Sequence, residues 1–192
     1  MRTSTKERTT NETNIKVSLS LDGSGNANID TGVGFLDHML TAVAVHGRFD
    51  LAVKCGGDLG VDVHHSVEDI GIVFGQAFAD ALGDKVGIAR YGSFTLPMDE
   101  ALASCQLDIG GRAYTVFDAK FSAERIGELD TQMIPEFFRA FADNANITLH
   151  LCVHYGENDH HKAEALFKSF AHALRVAVSH VGEELLTTKG VL

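Results

Sequence analysis

The motif HHxxE occurs twice in this chain of 192 residues, as His64-His65-Ser66-Val67-Glu68 and as His160-His161-Lys162-Ala163-Glu164. Each copy falls where a helix is expected to begin. An α-helix turns about 100° per residue, so residues four apart share a face. His64 and Glu68 can therefore grip one ion, while His65 points away from them. The second copy offers His160 with Glu164, or His161 with Glu164, depending on register. Brought together within a chain or between chains, two such motifs can build two metal sites on shared helices. Imidazole nitrogen with carboxylate oxygen suits Mn²⁺, Fe²⁺ or Zn²⁺. No thiolate is placed to select zinc. One copy alone reads as a solvated helix start with a capping-type acid; the matched duplicate is what points to metal.

Other histidines and the scarce cations supply the next candidates. His38 lies in the first turn of an apolar helix and is read as a further ligand, with Glu136 its counterpart in the second half. His46 sits near that helix's C-terminus, where a cation also pairs well with the helix dipole. His150 and His154 share one alternating strand face and are open to ligand, supporting or core roles. His172 and His180 are read as surface or packing. Arg90, Arg112 and Lys189, with the hydroxyls of Thr187 and Thr188, are what a phosphate-ester site needs. Each cation alone reads as solvated surface. Asp58 and Asp62, in the Gly56–Gly60 loop and just after it, are read as solvated loop.

Periodicity predicts the elements that must hold these groups. Ile15, Val17, Leu19 and Leu21 alternate, and Asp22-Gly23-Ser24-Gly25 reads as the turn of a hairpin whose return strand starts at Ala27–Asp30. Phe35 to Ala44 reads as a helix ending near Gly47, Phe49–Val53 as a strand, and His64 to Leu82 as a long helix. The plan then repeats. Strands are expected at 93–96, 101–109, 113–117 and 147–153, with helices at 133–144 and from His160 to about Val181. The HHxxE copies stand 96 positions apart, and Phe35–Leu40 lies over Met133–Phe138 at an offset of 98. The expected fold class is α+β: an internally duplicated tandem of two β-sheet/helix halves with their helices packed together. It is read as one compact unit over 1–192, with pseudo-repeats 1–89 and 90–192.

Composition excludes several classes. Sixteen Lys and Arg against 26 Asp and Glu give a net charge of −10, a poor match for a phosphate backbone, so no nucleic-acid partner is expected. No apolar run is long enough to span a membrane, and Met1–Asn14 lacks an apolar signal core. Cys55, Cys105 and Cys152 form no CxxC pair and are read as small buried apolar residues with free thiols in a reducing cytoplasm.

With both HHxxE motifs, the segment Gly34-Phe35-Leu36-Asp37-His38-Met39-Leu40 and the run Tyr155-Gly156-Glu157-Asn158-Asp159-His160-His161, the chain resembles the imidazoleglycerol-phosphate dehydratases of histidine biosynthesis. The resemblance extends from Arg8-Thr9-Thr10-Asn11-Glu12-Thr13 to Thr187-Thr188-Lys189. It implies a ribosomal protein S5 domain 2-like tandem, assembled as trimers into a homo-oligomeric shell of about 24 subunits with active sites between subunits. It implies two Mn²⁺ per active site. His38, His65, His160 and Glu164 would hold one; His64, Glu68 and His161 the other, with Glu136 standing where some members have His. Glu12 matches the acid that contacts substrate and His46 a further substrate contact. Arg90, Arg112, Thr188 and Lys189 match the phosphate site. The implied reaction removes water from imidazole glycerol phosphate to give imidazole acetol phosphate. Glu12 is the candidate for one proton transfer, and a metal-bound water, Asp99 or Glu100 for the other. Two rival readings remain on the residues alone. A di-metal hydrolase would release phosphate, and a metal-storage protein would leave Arg90, Arg112 and the Thr188-Lys189 tail without a purpose.

Overall fold

A computed structural model describes all 192 residues. The first half contains β1 (Thr3–Thr9), β2 (Thr13–Ser20), β3 (Ala27–Asp30), α1 (Gly34–Gly47), β4 (Asp50–Gly57) and α2 (His64–Leu82). The second contains β5 (Tyr91–Met98), β6 (Ala101–Asp108), β7 (Tyr114–Asp118), the short β8 (Arg125–Ile126) and β9 (Leu129–Asp130), α3 (Met133–Ala145), β10 (Thr148–Tyr155) and α4 (Asp159–Ala177). The duplication is plainest in the sheets. One has the order β1-β2-β4-β3 and the other β5-β6-β10-β7, strand for strand the same plan. In each, only the last pair is parallel.

The hairpin expectation is corrected. The hairpin of the first half is β1–β2, turning at Thr10–Glu12, and the expected return strand, β3, instead pairs parallel with β4. β1 carried no apolar signal because it is an edge strand whose only buried side is Ser4. A sheet edge needs no alternation of large apolar groups. α4 also stops at Ala177, short of the expected Val181. The backbone N–H groups of Arg90 and Ala89 take the carbonyls of Ala177 and Ser179, closing the helix end.

In β2 the alternation places Ile15, Val17 and Leu19 inward. The helices α1 and α3 end alike, with Arg48 and Asn146 in left-handed conformation, each sending its N–H back to the preceding turn. The chain then enters β4 and β10 at equivalent points.

The helices pack across the two halves. His38 meets His160 and His46 meets His172, so α1 and α4 advance in the same sense. Phe141 of α3 lies edge-on to Phe74 of α2 and Phe170 of α4, at 4.9 and 5.1 Å between ring centroids. One apolar cluster runs through both sheets and all four helices. Gly71 and Gly75 let α2 approach α3. A Cβ at Gly75 would stand 2.5 Å from the Phe141 carbonyl oxygen and 2.9 Å from Asn144 Cβ. Gly75→Ala is therefore expected to lower stability by about 1–3 kcal/mol through overpacking, despite Ala's better helix propensity. A denaturation midpoint equal to wild type would contradict this packing account.

Candidate functional site

The start of α4 is the best-defined part of the site. The Asn158 side chain caps the helix, accepting from the backbone N–H groups of His160 and His161 at 2.9 and 3.4 Å. With the first turn fixed, the helical repeat sets His160 over Glu164. His160 Nε2 lies 3.1 Å from Glu164 Oε2, and His38 Nε2, arriving from the first turn of α1, lies 3.4 Å from the same oxygen. The ligand atoms of these three residues fall within 4.8 Å of one another. Glu164 is buried, which by itself raises its pKa. The Lys168 ammonium at 2.6 Å and the two imidazoles outweigh burial and hold the carboxyl below its ordinary value.

The start of α2 carries a second cluster. His64 Nε2 and Glu68 Oε2 are 3.5 Å apart, as the i, i+4 spacing requires. His65 turns the other way, with Nδ1 3.0 Å from Asp58 and Nε2 3.8 Å from Glu12. The Asp58 carboxylate raises the His65 pKa above the usual imidazole value. Asp58 is thus corrected from solvated loop, since it orients His65, whereas Asp62 stays exposed in the loop and accepts the His64 backbone N–H at 2.8 Å. The signal of Asp58 was faint, because acids in a glycine-rich loop follow no period.

His161 repeats the arrangement of His65. Its Nδ1 lies 2.7 Å from Glu100 Oε2, and its Nε2 3.6 Å from Asp99. Glu12 stands immediately before β2 and Glu100 immediately before β6, so each hairpin turn aims an acid at the second histidine of its own motif. Glu100 also accepts the backbone N–H groups of Asn158 and Glu157 at 2.8 and 3.1 Å. The Asn158 N–H and the His161 ring hold its pKa at about 2, and in turn Glu100 raises that of His161. A carboxylate so engaged is a weak base at neutral pH. Glu12 and Asp99 are the less committed acids, with side chains 53 % and 74 % exposed.

Within one chain the remaining candidates stay apart from these clusters. Glu136 pairs with Arg139 on α3. His46 lies beside His172 two turns along α1, its pKa lowered by burial and then by Lys168; His172 stacks on Phe94. The Arg90 guanidinium makes a two-point contact with Asp108 at 2.7 and 3.0 Å and donates to the Leu186 carbonyl oxygen. Thr188 borders the same cleft. Arg112 lies in an exposed turn, and the Lys189 backbone N–H donates to Thr187 Oγ1. The backbone of Arg90 bonds Ala177 at the far end of α4 from His160 and Glu164. That helix has 19 residues and is about 28 Å long. The trio and the Arg90–Thr188 group therefore cannot serve one small molecule from the same chain.

The family model described as Imidazoleglycerol-phosphate dehydratase matches residues 31–174. The chain is 56 % identical to the Imidazoleglycerol-phosphate dehydratase of Clostridioides difficile over 97 % of both chains, and 56 % identical to that of Methanococcoides burtonii over 100 % of both. The solved structure of the Staphylococcus aureus enzyme superposes with a TM-score of 0.85 at 42 % identity, covering 93 % of this chain and 99 % of that one. The structure of IGPD from Pyrococcus furiosus gives 0.86 at 36 %, covering 97 % and 100 %. Fold, site and likeness together define an enzyme class, a hydro-lyase on a duplicated α+β frame. The chain belongs to the imidazoleglycerol-phosphate dehydratase family and serves histidine biosynthesis. No helix is long and apolar enough to cross a membrane.

Proposed function

We propose that this chain removes water from imidazole glycerol phosphate to give imidazole acetol phosphate, with two Mn²⁺ per active site and each site shared between subunits of a homo-oligomer. The observation that carries the reading is the convergence of His38, His160 and Glu164 on one point. The donors there are all nitrogen and oxygen, which fits a borderline first-row ion. His65 from a neighbouring subunit would complete that set. His64 and Glu68, with His161 and Glu136 from elsewhere in the assembly, would form the other. When bound, the ions supply Lewis-acid stabilisation of the negative charge that develops on the substrate's imidazole ring.

The separation along α4 supports a site made from more than one chain. It agrees with trimers built into a shell of about 24 subunits. Arg90, Arg112, Thr188 and Lys189 of one chain would take the phosphate, and His46 a further substrate contact. Binding the phosphate aligns the glycerol carbons with the groups that move protons. Glu12, at the exposed tip of the β1–β2 hairpin beside His65, would carry the proton lost from the carbon chain. Asp99 is the better placed of the remaining acids for the second transfer. Glu100 would orient His161, leaving its Nε2 to face a metal. We read the compartment as the cytoplasm, where three free cysteines persist.

Two measurements test this reading. Purified, chelator-treated protein should form the ketone only after Mn²⁺ is restored. Ketone formation without metal would remove the metal assignment, and no ketone from loaded, assembled protein would remove the reaction. Glu100→Gln should weaken Mn²⁺ binding by about ten- to a hundred-fold, read from free Mn²⁺ by electron paramagnetic resonance. Unchanged affinity would return Glu100 to a purely structural part in the 156–158 loop.

A further inference from the structure

The outer face of the second sheet, turned away from the helices, carries a group that the dehydration site does not use. Along β10, Leu149 and Leu151 point inward to the core, while His150, Cys152 and His154 lie on the other side. Cys152 Sγ stands 3.9 Å from His154 Nδ1. The other ring nitrogen, His154 Nε2, is 2.9 Å from Ser104 Oγ on the adjacent β6. Ser104 is buried, and it is the direct cross-strand partner of Cys152. On the opposite side, Asp118 of β7 is the parallel partner of Cys152.

We infer that Cys152 and His154, with Asp118 beside them, form a separate site for a soft or borderline cation such as Zn²⁺, Co²⁺ or Cd²⁺. The ring is already oriented for it. In the tautomer that donates Nε2–H to Ser104, Nδ1 keeps its lone pair facing the sulfur, the arrangement by which a second partner fixes a ligand histidine. A metal held by one thiolate at about 2.3 Å and one imidazole at about 2.0–2.1 Å in tetrahedral geometry separates sulfur from nitrogen by about 3.6 Å. The pair therefore needs only a few tenths of an ångström of closure. The Cys152 thiol gives up its proton as the ion binds, so one proton is released per ion. Asp118, the parallel partner of Cys152 on β7, adds negative charge, water completes the coordination, and His150 lies on the same face.

The same three side chains also resemble a thiol with a base and an orienting hydroxyl. Burial, and then Asp118, raise the Cys152 pKa above its ordinary value, which disfavours the free thiolate a nucleophile requires. A cation reverses that balance, because it stabilises the thiolate it binds. The set differs from the trio on α4 in the one respect an experiment reads directly: it contains sulfur.

Co²⁺ titration of the assembled, metal-stripped protein tests the inference. The nitrogen and oxygen donors at the helix N-termini give no thiolate-to-cobalt charge-transfer band in the near ultraviolet. A Cys152 site does. The band should appear in wild type and in Cys55→Ser, disappear in Cys152→Ser and weaken in His154→Ala. Dehydratase activity of Cys152→Ser should equal wild type, which also reports that the variant folds. Should that variant misfold, alkylation of wild type by iodoacetamide decides the matter. Zn²⁺ should slow labelling of the peptide that carries Cys152 by about ten-fold or more, consistent with a bound thiolate being withheld from reaction. No band in wild type, a band that survives Cys152→Ser, or labelling indifferent to Zn²⁺ would each overturn the site.

Discussion

Glu164→Gln is expected to lower kcat/KM by about a thousand-fold or more while the protein still folds and assembles. Its carboxylate oxygen is the single point on which His38 and His160 converge, and the residue is buried. Gln preserves the volume and keeps an oxygen for Lys168 and the imidazoles. It removes the negative charge that makes the trio a cation site. The lost charge also leaves Lys168 beside a neutral amide, which costs some stability. Circular dichroism and particle mass separate that cost from the loss of chemistry. Mn²⁺ content should fall together with activity. A variant that keeps kcat/KM within about ten-fold of wild type would show that Glu164 is a structural partner of Lys168 and no metal ligand.

The second large effect is a recovery. Glu164→Gln and Arg90→Ala should each be nearly inactive alone, yet chains of the two co-expressed in equal amounts should regain about a quarter of wild-type activity. The reason is geometric. The trio stands at one end of α4 and the Arg90–Thr188 group is anchored at the other, where Ala177 lies about 26 Å from His160 and about 20 Å from Glu164 by the helical rise. A site drawing its trio from one chain and its phosphate clamp from another is intact when the first carries only the Arg90 change and the second only the Glu164 change. Random mixing makes that combination in one site of four. If each site belonged wholly to one chain, every site would carry a defect and mixing would restore nothing. Separately purified variants, mixed without subunit exchange, supply the baseline.

Much of this protein was legible along its chain. The His64–Glu68 pairing follows from a helical repeat that any i, i+4 pair obeys; for the second copy the sequence left His160 and His161 open opposite Glu164, and the structure takes His160. The duplication was legible because equivalent parts kept equivalent spacing, which the matched strand orders of the two sheets repeat. What failed was where pattern carries no energy. The strand β1 lacks apolar alternation because an edge strand buries almost nothing, so the hairpin was assigned one strand too late.

By itself, then, the sequence determined what depends on neighbours within a turn or two: the helices, the metal-type pairs they present, and the two-fold plan. Only the tertiary structure decided which way the paired histidines face. His65 turns to Asp58 and His161 to Glu100, across loops and hairpins that no local period links. It also decided that His38 joins His160 and Glu164, a contact made by packing α1 on α4 across 126 positions of chain. And it separated the cations that sequence had gathered into one phosphate site from the trio that would hold the ring. The physical reason is the same throughout. Hydrogen bonding along a helix is local and leaves a period, whereas burial brings together whichever faces are apolar and sets polar groups beside partners that spacing does not foretell.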